Sequence, residues 1–577
     1  MKSKNYFLSI LSVILIFSNQ TYSQQFTSVT IGAIVNTASG SRSCNFIDYN
    51  NDGNEDILIT NGTTGGENNM LYMNNGDETF TLIDDIVTLD DNPSDGSTCA
   101  DYNNDGNIDI FTVNWYNDDN LLYLNDSEGG FFQIDSGHIA TGGGYSETAS
   151  WGDADQDGFV DLYVTNSAGV KKNYLYKNHG NGYFEKMTGQ NVVDDAYFSR
   201  CVNWIDYDND GDDDIFVTNE NNQANNLYRN DGDFVFTKIL TGSLVSDIST
   251  TMSASWGDID NDGDFDVFVS NYNQSNRLYE NDGDGNFSVI TDPWSSDGGC
   301  SFSSSFADYD NDGDLDLFVT NGFCQDDLKN FLYQNNGSGT FTLIENEAMT
   351  LDSGGSYGCA WGDYNNDGNL DLVVANWQGE TQNNSLYKNE GNENNWVKIT
   401  LEGDESNKSA IGAVVKVKSV LNGETTWQMR QLSAQSGYCS QNSLVAHFGL
   451  GDGTSIDSLI INWPSGNIDY FADLNENTHY SIIESGDLET LGIIEFKKAS
   501  FSLDVYPNPF IDTIDFNYDG NDGNAKVSVY DILGNELLKK SVYLGTNRLN
   551  LSTINKGTLI IVLTDSKGIY TQKIIKR

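Results

Sequence analysis

Proline, histidine and positive charge are all scarce in this 577-residue chain, which has 5 Pro, 4 His and 29 Lys and Arg against 85 Asp and Glu, a formal net charge of -56. So acidic a surface repels polyanions, which excludes nucleic acid as a partner and makes divalent cations the natural counter-charge. The seven cysteines form no CxxC pair and no histidines stand at zinc-ligand spacing, so a zinc site is excluded. Beyond the N-terminus no run reaches the roughly 18 apolar residues of a transmembrane helix. Long helix-periodic stretches are missing too. The 57 Gly, 12% aromatics and abundant Val, Ile, Thr and Tyr favour short strands joined by tight turns. A chain of this length exceeds one hydrophobic core, so the expectation is an all-β protein of several domains.

What is present begins with "MKSKNYFLSILSVILIFSNQTYSQQF": two lysines, an apolar run from Tyr6 to Phe17, then small residues at Thr21 and Ser23. The run is too short to span a bilayer, and the pattern is that of a secretory signal peptide, residues 1–23. Export permits disulfides, with at least one thiol left over from an odd count.

One acidic motif then recurs seven times, starting at Asp48, Asp101, Asp153, Asp206, Asp258, Asp308 and Asp363, with spacings of 53, 52, 53, 52, 50 and 55 residues. A period near 50 filled with strand-type residues signals a β-propeller with one blade per repeat. Each unit reads as a segment such as "SASW", the acidic loop, an apolar run such as "DVFVSN", then "NRLYEN", a Gly-rich turn and a final "FSVI". The phenylalanine leading that last strand falls 21 or 22 residues before the next loop, at Phe80, Phe132, Phe184, Phe236, Phe287 and Phe341. Phe26 stands 22 before Asp48 with no blade ahead of it, so the N-terminal strand is expected to complete the seventh blade and remove an open sheet edge.

Within the motif, side-chain oxygens stand at positions 1, 3, 5 and 9, with glycine at position 6 in every copy. Position 7 varies, which suits a ligand that uses its backbone carbonyl. The candidate ligands are Asp48, Asn50, Asp52, Asn54 and Asp56; Asp101, Asn103, Asp105, Asn107 and Asp109; Asp153, Asp155, Asp157, Phe159 and Asp161; Asp206, Asp208, Asp210, Asp212 and Asp214. The last three loops offer Asp258, Asp260, Asp262, Asp264 and Asp266; Asp308, Asp310, Asp312, Asp314 and Asp316; Asp363, Asn365, Asp367, Asn369 and Asp371. Oxygen-only ligands around a sharp turn resemble the first half of an EF-hand loop and select calcium, up to seven ions. Four loops carry four carboxylates; the three with Asn at position 3 carry three and are expected to bind more weakly. A site present in every blade reads as a structural clamp rather than as the place where one ligand is recognised.

These loops resemble the calcium-binding propeller repeats of the integrin α-subunit type, the FG-GAP or VCBS repeats, over residues 24–395. The resemblance implies a seven-bladed ring with the calcium loops on one face and the 2–3 and 4–1 loops, where such propellers usually bind partners, on the other. Residues 396–485, with "GYCSQ", "HFGLG" and "WPSG", resemble the ASPIC/UnbV domain, a β-rich module. After a linker, 486–500, the composition shifts: from Phe496 onward Lys and Arg number 11 against 8 Asp and Glu, compared with 18 and 77 before it. "YPNPF", "VYDILGNE" and a basic end resemble the C-terminal sorting domain of the type IX secretion system, residues 501–577. That implies a small immunoglobulin-like β-sandwich, export by that machinery, and a secreted or outer-membrane surface-attached protein.

Aromatics two residues before the loops (Phe46, Trp151, Trp204, Trp256, Phe306, Trp361) recur in register and read as blade packing, and the asparagines ending strand 2 as turn caps. Ligand recognition is expected where the repeats differ: Trp115, Tyr272 and Trp377 follow that asparagine and are candidates for stacking on a sugar. Cys300 and Cys324 fall in loops on one face of one blade and are a candidate disulfide; Cys44 with Cys359 is a weaker pairing. "GLGDG" (449–453) reads as a turn rather than a phosphate loop. Catalytic signatures are thin, since the histidines (His138, His179, His447, His479) are scattered and neither a Gly-x-Ser-x-Gly elbow nor HExxH occurs. The expectation is a non-enzymatic protein that binds an extracellular glycan or protein; the alternative is an enzyme, or enzyme accessory, acting on extracellular polysaccharide.

Overall fold

The computed structural model describes residues 24–490 and 505–577, except within 128–142, 291–298, 324–328, 519–524 and 531–535 and at residues 487, 544, 566 and 567. The expected signal peptide, most of the expected linker and His138 lie outside the described residues. The chain divides between Leu491 and Gly492 into two compact units.

The first unit contains seven four-stranded antiparallel sheets built from the repeats. Blade five is representative, with strands Thr251–Gly257, Asp266–Asn271, Arg277–Asn281 and Phe287–Ile290 running outward from the axis. Burial falls along the same direction. All six residues of Asp266–Asn271 are buried, because neighbouring blades cover both faces of the sheet, and an apolar run without alternation suits that position. In the outermost strands of blades three and four only the leading phenylalanine is buried. A register shift near the start of the first strand interrupts each inner pairing and sharpens its twist.

The first strands of successive blades lie side by side, and Ser41–Ile47 of blade one also lies against Ser356–Gly362 of blade seven, so the sheets form a closed ring. Phe26–Ser28 is the fourth strand of blade seven and pairs Phe26 with Asn389, the register that Phe184 makes with Asn178 in blade three. In blade two the equivalent residue is Phe131, 6% exposed and opposite Asn125, while the expected Phe132 points outward at 60%. Strand alternation lets only one of two adjacent phenylalanines face the core.

The thiols Cys44, Cys99, Cys201, Cys359 and Cys439 are free and buried, so the Cys44–Cys359 pairing does not form. Cys44 faces Ser440 and Cys359 faces Ser303. Cys300 is disulfide-bonded; Cys324 lies outside the described residues.

Residues 395–490 of the same unit form two further four-stranded sheets. Asn395–Glu402 pairs in parallel with Thr478–Ile483 in one, and Val414–Leu421 is central in the other. Val397, Ile399, Val415, Phe448, Ile461 and Ile482 share the core between them. This module runs on through the strand Leu488–Thr490. In the second unit, a three-stranded and a four-stranded sheet pack Ile514, Phe516, Val527, Val529, Ile561 and Ile574 into one core, a small β-sandwich.

Candidate functional site

The acidic loops join the first and second strands of each blade and share one geometry. In blade five, Asp258 accepts the N–H of Asp262 on Oδ1 (3.1 Å) and of Gly263 on Oδ2 (3.2 Å), and Asp262 accepts the N–H of Asp264 (3.1 Å). Asp266 accepts from the N–H of Ile259 (3.2 Å) and, across the sheet, of Asn281 (2.8 Å). The position 6 glycines turn at positive φ, +98° at Gly263, where a Cβ would be strained. Burial, reinforced by like charges in the loop, pushes Asp266 up to about 8 and Asp214 to about 10.

Among the described residues, four carboxylate triads have ligand oxygens within 4.8 Å of one another and could hold a metal ion: Asp153, Asp155 and Asp161; Asp206, Asp208 and Asp210; Asp258, Asp260 and Asp262; Asp308, Asp310 and Asp316. They fall in the four loops with aspartate at position 3. In each, the Oδ1 of that aspartate (Asp155, Asp208, Asp260, Asp310) is buried without a hydrogen-bond donor. Burying a carboxylate oxygen without a partner is costly, and four equivalent orphans fit a cation at the loop centre. A protein cation reaches one loop already, since Lys177 pairs with Asp155 and stands 3.7 Å from Asp157.

Position 7 has a side-chain role as well. The position 4 amide of each loop donates to the next loop: Asn51 to Gly106 O and Asn107, Gln156 to Gly211 O and Asp212, Asn261 to Gly313 O and Asp314. Asn366 closes the circuit onto Gly53 O and Asn54. The Asn or Asp at position 7 is therefore an acceptor between blades; Phe159 is the exception, and Asn104 there uses only Gly158 O. A second circuit runs beneath. The asparagine ending strand 3 donates to the preceding blade's loop, as in Asn178 to Tyr102 O (2.7 Å), and Asn74 to Tyr364 O (2.7 Å) closes it. Both sets of amides recur in all seven repeats, a signal the motif carried beside its carboxylates.

The module of residues 395–490 sits on this loop face. Lys398 Nζ, buried, lies 2.6 Å from Asp363 Oδ2, Gly449 donates to Asp308 Oδ2 (3.0 Å), and Gln431 donates to Asp213 (2.8 Å). From the module, residues 434–443 enter the axial channel and meet the first strand of every blade. Gln441 bonds Cys99 N and O (2.8 and 3.1 Å) and the backbone of Cys44 and Phe46. Asn203 and Cys201 donate to Gln435 O and Gly437 O, Ser255 to Ser436 O, Tyr438 N to Ser303, and Trp361 N to Asn442. At the tip, Tyr438 donates to Glu147 (2.6 Å), which also accepts from Arg200 (2.6 Å), Trp115 Nε1 (2.9 Å) and Ser167. The "GYCSQ" run is thus a plug, and nothing in its residue chemistry announced where it would go.

The three candidate aromatics lie at the far mouth of the channel, half-buried. Trp115 is held edge-on by Tyr116 and Tyr145 (4.8 Å each) besides its bond to Glu147. Tyr272 and Trp377 pack with Phe302, Phe323 and Tyr357, and the Arg42 guanidinium lies 3.6 Å over the Trp377 ring. Burial, the chief cause in both cases, lowers His447 and His479 to about 3, so both are neutral. His447 donates to Gly368 O (3.0 Å) and His479 bonds Thr400 (2.8 Å). The strand-2 asparagines are turn caps as expected: Asn61 donates to Asn68 O, and its own N–H bonds Asn69.

Ring, loops and inter-blade amides define a class, the β-propeller of acidic-loop repeats. A family model described as "FG-GAP-like repeat" matches residues 48–112, 101–164, 156–217, 206–269, 258–319 and 323–374, over half of the chain, and the chain belongs to that family. "ASPIC and UnbV" matches residues 403–489, and "Secretion system C-terminal sorting domain" matches 504–577. The latter is the type IX sorting domain, so this is a secreted or outer-surface protein that engages that machinery. The chain is similar to cartilage acidic protein 1 of Xenopus tropicalis, 29% identical over 318 residues, covering 53% of this chain and 40% of that protein. The human protein of that name is 29% identical over 266 residues, 44% and 39% of the two chains. This chain thus spans about 40% of the length of these curated relatives. Among solved structures, the fucose-specific lectin from Aleuria aurantia is similar at 13% identity and a TM-score of 0.34, covering 53% of this chain and 95% of that one. PorZ, a surface component of the type IX secretion system of Porphyromonas gingivalis, has 11% identity and a TM-score of 0.23, covering 93% and 81%.

Proposed function

We propose that this is a calcium-clamped, non-enzymatic binding protein of a bacterial surface, whose propeller engages an extracellular glycan or protein through its 2–3 and 4–1 loops. One observation carries the choice of face: the module of residues 395–490 occupies the acidic-loop face and fills the channel, which leaves the opposite loops to meet a partner. Those loops are also where the repeats differ. Four orphaned carboxylate oxygens at equivalent positions support a divalent cation, and an all-oxygen donor set in a secreted protein favours calcium. At affinities of about 0.1–1 mM, calcium at about 1 mM stabilises each filled loop by roughly 0.4–1.4 kcal/mol. The cation's charge offsets the repulsion among the loop carboxylates, and the loop amides then lock neighbouring blades together. Two of the four histidines are buried and neutral, which favours binding without turnover. A glycan and protein-ligand array with the full secreted chain, followed by a depolymerisation assay on any glycan bound, tests the reading. Binding without product is expected; product release would overturn the non-enzymatic part, and the absence of any ligand the binding part.

A further inference from the structure

On the exposed face of blade three, a cleft of about 380 Å³ lies between the 2–3 loop of residues 167–173, Tyr145, the outer-strand residue Lys186 and Asn117 from blade two. That volume falls within the range of small-ligand pockets. The loop "SAGVKK" is unlike its six counterparts, being the one 2–3 loop with lysine and no carboxylate. Two of the local lysines are engaged: Lys172 pairs with Asp194 at 2.8 Å, and Lys171 lies 3.9 Å over the Phe198 ring. Lys186 is not paired. Its ammonium sits 3.2 Å over the Tyr174 ring and 5.5 Å from that of Tyr176, with neither a carboxylate nor a hydrogen-bond acceptor recorded for it among the described residues. Burial alone lowers it to about 8. In a chain of net charge -56, a half-buried cation without a protein anion is conspicuous. The walls include Tyr145, Tyr174 and Val170, the last 75% exposed, together with Asp194, whose charge its partner Lys172 offsets, and Asn117 offers an amide.

We propose that this cleft binds a carboxylate-bearing saccharide, a uronic acid unit, with Lys186 as the contact for the carboxylate. The proposal rests on the reading that this face binds ligands, and it names the site and the ligand class. A single ammonium matches a single negative charge, tyrosine edges and the Val170 side chain suit the apolar faces of a sugar ring, and the Asn117 amide suits its hydroxyls. A phosphate dianion would call for an arginine fork, and none of the described residues lining the cleft is an arginine.

The test is calorimetric titration of the full secreted protein, at constant calcium, with short oligogalacturonates and with their methyl-esterified, uncharged counterparts. The free acids should bind, the esters at least about ten-fold more weakly. Lys186→Met should remove that preference while leaving the unfolding temperature unchanged, and Lys186→Arg should retain it. Equal binding of acids and esters, or acid binding indifferent to Lys186→Met, would overturn the proposal. If a neutral glycan or a protein binds and Lys186→Met leaves that binding intact, this site falls while the reading of the face stands. If no glycan or protein binds at all, both fall.

Discussion

The two faces of the propeller are cut from the same seven repeats, yet they have opposite characters. On the acidic-loop face every repeat does the same thing: a carboxylate loop turns at glycine, its position 4 amide grips the next loop, and a second module covers the ring. On the other face the loops vary in length and no two have the same composition, and one has exchanged acid for lysine. Where a feature must recur for the ring to close, the repeats cannot drift apart; where nothing downstream depends on it, they can. On the proposed function, stability and recognition fall to different ends of the same strands.

Removing calcium should break the comparison most severely. With an excess of chelator, the loop face loses up to seven clamps, roughly 3–10 kcal/mol in sum at about 1 mM calcium. The unfolding temperature followed by calorimetry should fall by many degrees; an unchanged temperature would sink the clamp. Next comes the plug. Glu147→Ala strips Arg200, Tyr438 and Trp115 of a shared acceptor deep in the channel and should cost about 3–5 kcal/mol in denaturant unfolding. A loss below about 1 kcal/mol would mean the channel tip is solvated rather than sealed. The smallest effect probes the seam. Asn74→Ala leaves the Tyr364 carbonyl without its donor where blade one meets blade seven, and Asn178→Ala does the same to Tyr102 inside the ring. Each should cost about 1–3 kcal/mol. Equal losses are expected from a ring with no weak joint; a much larger loss for Asn74→Ala would locate unfolding at the seam.

Much of this was legible in the chain because repetition turns weak signals into strong ones. Aspartate spacing, the position 6 glycine and the phenylalanine register each recur, and Phe26 found its partner strand by counting alone. Sequence and structure part where two phenylalanines stand together at 131 and 132, because period-2 alternation decides which faces inward and composition does not. At position 7, read from the sequence as a backbone-carbonyl ligand, the Asn and Asp side chains have a second role that spacing does not show: they accept the bond from the neighbouring loop. Trp115, Tyr272 and Trp377 stand at the mouth of the channel, but their indole nitrogen, hydroxyl and ring faces are in part committed to Glu147, Phe323 O and Arg42. Lys186 carries no signal in the sequence, since a lone lysine on an edge strand is ordinary and only its surroundings set it apart.

The sequence alone determined the repeat count, the acidic loops and the strand that completes the seventh blade, because these are local patterns repeated at a fixed period, and the family of each later segment, because its motifs are short and contiguous. Tertiary structure decided what lies far apart in the chain: that residues 434–443 fill the axis of a ring begun some four hundred residues earlier, that Lys398 is buried against Asp363, and that Lys186 lies over the Tyr174 ring with no ion pair among the described residues. Burial and long-range pairing arise only when the ring closes, and no window along the chain contains them.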